Sequence, residues 1–218
     1  MNKINLHNID CMKHMAKCED NQYNLAIADP PYGMRGNVFQ MKSKNLLKEG
    51  QTSARLDDKN SSIEFNLQPP PQEEYFNELF RVSKNQIIFG MQYFVKYLPS
   101  HQCVIVWDKK NGGNYFSDAE IAWTSFDTAT RIIRIHNPTN NRIHPTQKPI
   151  KLYRKILLDY AKVGDKILDT HGGSMSMAIA CHIEKFALDL CEIDKDFFSE
   201  GKIRYNEAIK QKRLSFNP

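Results

Sequence analysis

No run of this 218-residue chain approaches the ~18 uninterrupted apolar residues that a membrane span needs, so no membrane partner is expected. The opening MNKINLHNID has one lysine and no apolar core, so no secretory signal is expected and the cytoplasm is the expected compartment. Cysteine is scarce and unpaired in pattern: Cys11, Cys18, Cys103, Cys181 and Cys191 are odd in number, with no CxxC spacing. That excludes a disulfide framework and a zinc ribbon as simple readings and leaves reduced thiols. His144, His171 and His182 have no short ligand spacing, and no metal is expected. Internal repeats and low-complexity tracts are absent. Excess charge is small: 30 Lys and Arg against 25 Asp and Glu give +5. This permits a nucleic-acid partner without requiring one.

What is present fits one soluble domain over 1–218, with 41% hydrophobic and 25% charged residues. Asn24 to Ala28 is a short apolar run stopped by Asp29-Pro30-Pro31, which reads as a buried strand entering a loop. Residues 34–72 are polar and carry Arg35, Lys42, Lys44, Lys48, Arg55 and Lys59 before three prolines. A structureless loop of that length is unusual in a compact domain, so a mobile flap or a small insertion is expected. Residues 73–83 have helical spacing of Tyr75, Phe76, Leu79, Phe80 and Val82. Strands are expected at 86–90, 103–107 and 118–126. A helix follows at 148–162, where Tyr153, Ile156, Leu157 and Tyr160 share a face. Then come a strand at 166–169, a helix at 174–184, a strand at 186–191 and a basic helix at 196–213. Strands alternating with helices make this an α/β chain with a largely parallel sheet.

Asp29-Pro30-Pro31-Tyr32 is the first chemical signal. Its plain reading is a proline-capped strand end. Its chemical reading starts from an exocyclic nucleobase amine, whose lone pair is delocalised into the ring. A carboxylate accepting one N–H and a carbonyl accepting the other would localise that pair. Proline suits the second task because its ring fixes φ and aims the carbonyl. A neighbouring aromatic ring can stack on the base. The second signal is Asp169-Thr170-His171-Gly172-Gly173-Ser174 between a strand and a helix, a turn that allows close approach of a cofactor. Some 20 residues on, Glu192 ends the next strand, where an acid can hold ribose hydroxyls. The plain alternatives are an ordinary glycine turn and a solvated carboxylate.

Together these motifs resemble the amino-group DNA methyltransferases that use S-adenosylmethionine and release S-adenosylhomocysteine. Val104 to Lys109 and Asp118 to Trp123 look like that family's later strands. His144-Pro145-Thr146-Gln147-Lys148-Pro149 resembles its segment before the helix over the cofactor. Asn8-Ile9-Asp10-Cys11 resembles the part that contacts the cofactor's adenine. The catalytic tetrad precedes the cofactor loop, which is the circularly permuted β-class order. The resemblance implies a Rossmann-like, mostly parallel twisted sheet with helices on both faces and one antiparallel strand. It implies that Asp29, Pro30, Pro31 and Tyr32 act in catalysis. It implies that Asp10, Cys11, Asp29, Thr146, Lys148, Asp169, Thr170, His171, Gly172, Gly173, Ser174 and Glu192 hold the cofactor. Three residues of the glycine loop depart from the family's common Asp-Pro-Phe-x-Gly-Ser-Gly: Thr170 stands for proline, His171 for phenylalanine and Met175 for the last glycine.

The stretch 128–148 has Arg131, Arg134, Arg142 and Lys148 and no acid. These three arginines are expected on DNA phosphates, within a small recognition region at 109–142. Lys202, Arg204, Lys210, Lys212 and Arg213 read as the solvated face of the last helix. The expected reaction is methylation of adenine N6 in double-stranded DNA. Cytosine N4 or RNA is the alternative on the same fold, and a catalytically silent DNA-binding or cofactor-sensing protein is the alternative of another kind. A homodimer and a cognate restriction endonuclease are partners compatible with these readings.

Overall fold

The strands that build the sheet are short, and their inward residues alternate as a two-residue period requires. In β2 (Tyr23–Ala28) and β3 (Ser83–Phe89), Leu25, Ile27, Ile87 and Phe89 join one core cluster with Leu152, Tyr153, Ile156 and Leu157 of α4 (Ile150–Tyr160). On the opposite face Phe80 of α2 (Glu73–Val82) meets Trp123, the sheet partner of Ile88, edge-on at 5.8 Å. Helices therefore cover both faces. The computed structural model describes residues 3–33, 69–111, 117–138, 142–144 and 146–214. Its main unit is Met1–Pro30 with Pro71–Pro218, and Pro31–Pro70 form a second unit. The expected flap at 34–72 lies, for residues 34–68, outside the described residues.

The main unit adds β1 (Ile4–Asn8), α1 (Cys11–Met15), α3 (Met91–Phe94), β4 (Val104–Asp108), β5 (Ala119–Thr124) and β6 (Arg131–Arg134). β7 (Lys166–Asp169), α5 (Ser176–Glu184), β8 (Ala187–Glu192) and α6 (Lys195–Leu214) complete it. The sheet order is β1-β8-β7-β2-β3-β5-β4-β6. β5 is antiparallel to both of its neighbours, β3 and β4, and every other pairing among the described residues is parallel. This is the expected mostly parallel sheet with one antiparallel strand. Leu25 pairs with Ile167 and Ala26 with Leu168, so β2 and β7 are neighbours although most of the chain separates them. The chain leaves β2 toward β3 on one side and β7 toward β8 on the other. That is a topological switch point, where open α/β sheets bind ligands beyond their carboxyl ends.

Four elements were not legible in the sequence. β1 and β6 are edge strands with exposed polar positions, and α1 and α3 are single turns. α1 starts because the Asp10 carboxylate accepts the N–H groups of Met12 and Lys13 at 2.8 and 3.2 Å. Among the described residues no helix is long and apolar enough to cross a membrane.

Candidate active site

At the carboxyl edge, β1, β8, β7 and β2 deliver Asn8, Glu192, Asp169 and then Asp29 side by side. Neighbouring strands lie about 4.8 Å apart, so this row spans about 14 Å. The glycine loop is fastened to β8 at its two glycines. Gly172 N–H donates to the Cys191 carbonyl at 2.8 Å. Gly173 N–H donates to Glu192 Oε2 at 2.7 Å, and Asp194 N–H donates to Oε1 at 2.9 Å. Glu192 thus pins the loop, while each of its oxygens keeps a second lone pair for a ligand hydroxyl. Gly172 is required by space: a Cβ there would lie 2.1 Å from Leu190 Cδ2.

Asp10 and Cys11 join this row through β1, since Ile9 N–H and the Asn8 side chain both donate to the Glu192 carbonyl, at 3.1 and 2.9 Å. Burial, with the Asp10 charge beside it, pushes the Cys11 thiol up to about 12, so it stays neutral. Asp169 is buried and accepts His171 N–H at 3.0 Å. Burial, reinforced by the charges of Asp29 and Glu192, pushes its carboxyl up to about 7. Burial also raises Glu192. Three carboxyl groups therefore line the edge of β8, β7 and β2, and Lys148 balances the charge of Asp29. The Glu192 and Asp169 carboxyls leave a cradle that favours a cationic ligand, as a sulfonium is.

The loop's departures from the family pattern have their own packing. Thr170 Oγ1 lies 2.7 Å from the Tyr75 hydroxyl and 2.9 Å from His171 Nδ1. Burial holds His171 down at about 4, hence neutral. Met175 sits in the left-handed region, φ 59°, where the family has glycine, and its side chain is fully buried. Ser174 is held from α6: Arg204 Nη1 donates to its carbonyl and, at 3.1 Å, to Ser176 Oγ. Arg204 is therefore turned inward, against the sequence expectation of a solvated side chain. No local pattern in the sequence marks it.

The segment ahead of α4 lies on the same site. The His144 ring would be 3.6 Å from a Cβ at Gly173, and it packs edge-on against Phe197 at 4.3 Å. Burial holds His144 down at about 4, and its Nδ1 accepts Thr146 N–H at 3.3 Å. Lys148 is paired within the protein. Its ammonium donates to Asp29 Oδ2, lies 3.0 Å from Glu120 Oε2, and sits 4.6 Å over the Phe89 ring. Burial alone would lower the Lys148 pKa, but Asp29 and Glu120 outweigh it and the net direction is up. Burial would raise Glu120, but Lys148 and Lys109 outweigh it and the net direction is down. Glu120 was missed in the sequence, although one acid in the otherwise apolar strand Ala-Glu-Ile-Ala-Trp-Thr is a usable signal.

The tetrad straddles the two units: Asp29 and Pro30 belong to the first, Pro31 and Tyr32 to the second. Arg131 and Arg134 are not brought together. Arg131 and Arg134 stand at opposite ends of β6, about 10 Å apart along the strand. Their spacing also puts them on opposite faces. Arg131 lies toward the amino edge, away from Asp29. Arg134 lies at the carboxyl edge, 3.6 Å from Asp108. Arg142 Nε donates to the Pro138 carbonyl at 2.8 Å. A separate cluster of His7, His14 and Asp189 has metal-ligating side chains. Its carboxylate is already bound by Lys166 and Tyr23, each at 2.8 Å, and by Asn5 at 2.5 Å.

A family model described as a DNA methylase, N6_N4_Mtase, matches residues 130–202, from β6 into α6. The type II methyltransferase M.HpaI of Haemophilus parainfluenzae is 22% identical over 249 residues, covering 92% of this chain and 73% of that protein. The crystal structure of the M1.HpyAVI–SAM complex superposes with TM-score 0.60 at 18% identity, over 93% of this chain and 99% of that one. PvuII DNA methyltransferase, cytosine-N4-specific, gives TM-score 0.61 at 11% identity, over 96% and 91%. At these identities the structural likenesses show the fold.

Proposed function

We propose that this chain, an amino DNA methyltransferase by the likenesses just given, transfers a methyl group from S-adenosylmethionine to N6 of adenine in double-stranded DNA. One observation carries the reading: the Asp29 strand and the glycine-loop strand are neighbours, so both loops open at the same sheet edge. The cofactor supplies a methyl carbon activated on a sulfonium. Glu192 is assigned to the ribose hydroxyls, Asp169 to Ser174 to the cofactor's body, Asp10 and Cys11 to its adenine, and Thr146 to the segment above it. A supporting sign is the bound M1.HpyAVI–SAM neighbour.

The target amine is inaccessible inside the duplex, so the base must be flipped out, at a cost of a few kcal/mol. Tyr32 would stack on it. Asp29 and the Pro30 carbonyl would accept the two amine hydrogens, with Pro31 fixing the turn. So held, the amine nitrogen would attack the cofactor's methyl carbon in line, forming the N–CH3 bond as the S–CH3 bond breaks, and would then release one proton to solvent. No covalent enzyme intermediate is needed, which agrees with a Cys11 thiol kept neutral. An aspartate at the first position of the tetrad, within the resembled family, supports adenine over cytosine. For DNA, Arg134 and Arg142 are assigned to phosphates, with Arg131 contributing least because of its end of β6. Residues 109–142 are assigned as a small DNA-recognition region. A second copy of the chain and a cognate endonuclease fit the same reading as further partners.

The test is transfer of labelled methyl groups from S-adenosylmethionine to DNA by the wild type and by Asp29→Ala. The wild type should label DNA. Asp29→Ala should lose turnover and keep cofactor affinity, because the carboxylate acts mainly on the base. Near-normal turnover in Asp29→Ala would reduce the tetrad to a strand cap.

A further inference from the structure

We propose that Lys148 and Glu120 are positioning residues for methyl transfer: Lys148 fixes the Asp29 carboxylate, and Glu120 fixes Lys148. The inference rests on the function proposed above and assigns Lys148 to the carboxylate rather than to the cofactor.

Four charges alternate along one path. Lys148 Nζ donates to Asp29 Oδ2 and lies 3.0 Å from Glu120 Oε2, and Glu120 Oε1 lies 2.9 Å from Lys109 Nζ. The Lys148 side chain is 3% exposed, against 16% for Asp29 and 21% for Glu120. The Phe89 ring, at 4.6 Å, gives the ammonium a further sheltered neighbour. An ammonium in so dry a place must be paired, because an uncompensated buried charge is strongly unfavourable.

One carboxylate alone would leave a second outcome open. A buried Lys–Asp pair can neutralise itself by moving the proton onto the acid, which would spoil Asp29 as an acceptor. A second carboxylate on the same ammonium favours the charged lysine. Lys109 in turn balances Glu120. Glu120 thus acts on Asp29 only through Lys148, keeping the charge on the lysine and the lysine in place. An ammonium held against a carboxylate helps to set the carboxylate's plane, and that plane decides how an amine hydrogen is received.

The topology explains how three distant residues meet. Asp29 leaves the carboxyl end of β2, and Phe89 ends the adjacent β3. β5 runs the other way, so its amino end, with Glu120 opposite Trp107, arrives at this same edge. A parallel strand would have delivered Thr124 there instead. Lys148 enters from the segment before α4. The one antiparallel strand therefore has a functional consequence: it brings an acid to the catalytic edge.

The test measures kcat at saturating DNA and cofactor, S-adenosylmethionine Kd by calorimetry, and Tm, for wild type, Glu120→Gln, Lys148→Met and the double variant. Glu120→Gln, which keeps the shape, should lower kcat about ten-fold or more and leave Kd within about two-fold. Lys148→Met should lower kcat further, and Glu120→Gln should cost nothing more in that background. Should Lys148→Met fail to fold, the isosteric Glu120→Gln decides by its split between kcat and Kd. Loss of affinity in step with kcat would make Lys148 a cofactor residue and overturn the proposal. So would an unchanged kcat in Glu120→Gln, or additive losses in the double variant. A wild type that methylates no DNA overturns the functional reading first, and is distinguished by failing before any variant is compared.

Discussion

Asp169 offers the sharpest quantitative test of the carboxylate cradle. Its carboxyl moves from an ordinary 3.8 to about 7, chiefly by burial and then by Asp29 and Glu192. Between those values the folded chain binds a proton that the unfolded chain has released. Stability from this group is therefore fully present below about pH 4, falls as pH rises, and is gone once pH passes about 7. Each pH unit is worth about 1.4 kcal/mol, so the whole interval amounts to about 4 kcal/mol at most. Another carboxyl titrates in the same direction, Glu192, which burial raises above its ordinary value. The comparison with Asp169→Asn removes its contribution. Asparagine mimics the protonated acid and can still accept His171 N–H. Relative to wild type, the variant should gain stability from pH 4 to 7.5, by as much as about 8–16 °C in Tm for a chain of this size. A cationic cofactor reverses the preference and expels the proton on binding. Wild-type affinity for S-adenosylmethionine should thus rise with pH, at most about ten-fold per unit, and level off above about 7. Asp169→Asn should lack that rise. Calorimetry in two buffers of different ionisation enthalpy reads the released proton directly. A Tm difference that stays flat from pH 4 to 8, with pH-independent affinity, would refute the cradle.

Three further outcomes follow from the same geometry. Gly172→Ala must displace either the buried Leu190 side chain or the loop, since its Cβ would lie 2.1 Å from Leu190 Cδ2; about 1–3 kcal/mol of stability should be lost in thermal melts, with weaker cofactor binding by calorimetry. Met175→Gly relieves a left-handed backbone worth about 1–2 kcal/mol but empties a fully buried site worth about 2–5 kcal/mol, so denaturant melts should show net loss, and net gain would mean that strain dominates. Replacing Arg134 and Arg142 should flatten the salt dependence of DNA affinity by about 0.9 for each phosphate left without its arginine, whereas Arg131→Ala should leave the slope nearly unchanged.

The candidate site is legible where its motifs are local in sequence. The prolines that stop β2 mark Asp29, and the glycines after β7 with the acid ending β8 mark a candidate cofactor turn. Their neighbourhood in space follows from the switch point of an α/β sheet rather than from any pairing signal. Interactions between distant segments were not legible. Lys148 reads as part of a cofactor segment, and only the reversed direction of β5 reveals that Glu120 and Asp29 share it. Arg204 looks solvated in a polar helix, and its bond to the Ser174 carbonyl depends on how α6 packs on α5. The arginines of 128–142 look like one basic stretch. Strand geometry divides them, because three residues of β-structure change both face and edge.

The most direct measurement is the identity of the modified base. DNA free of amino-methylated bases is incubated with the wild-type chain and S-adenosylmethionine, digested to nucleosides and weighed by mass spectrometry. N6-methyldeoxyadenosine is the expected product, and it should be missing with Asp29→Ala. N4-methyldeoxycytidine would contradict the assignment to adenine, and the absence of any methylated nucleoside would contradict the catalytic reading of Asp29-Pro30-Pro31-Tyr32 itself.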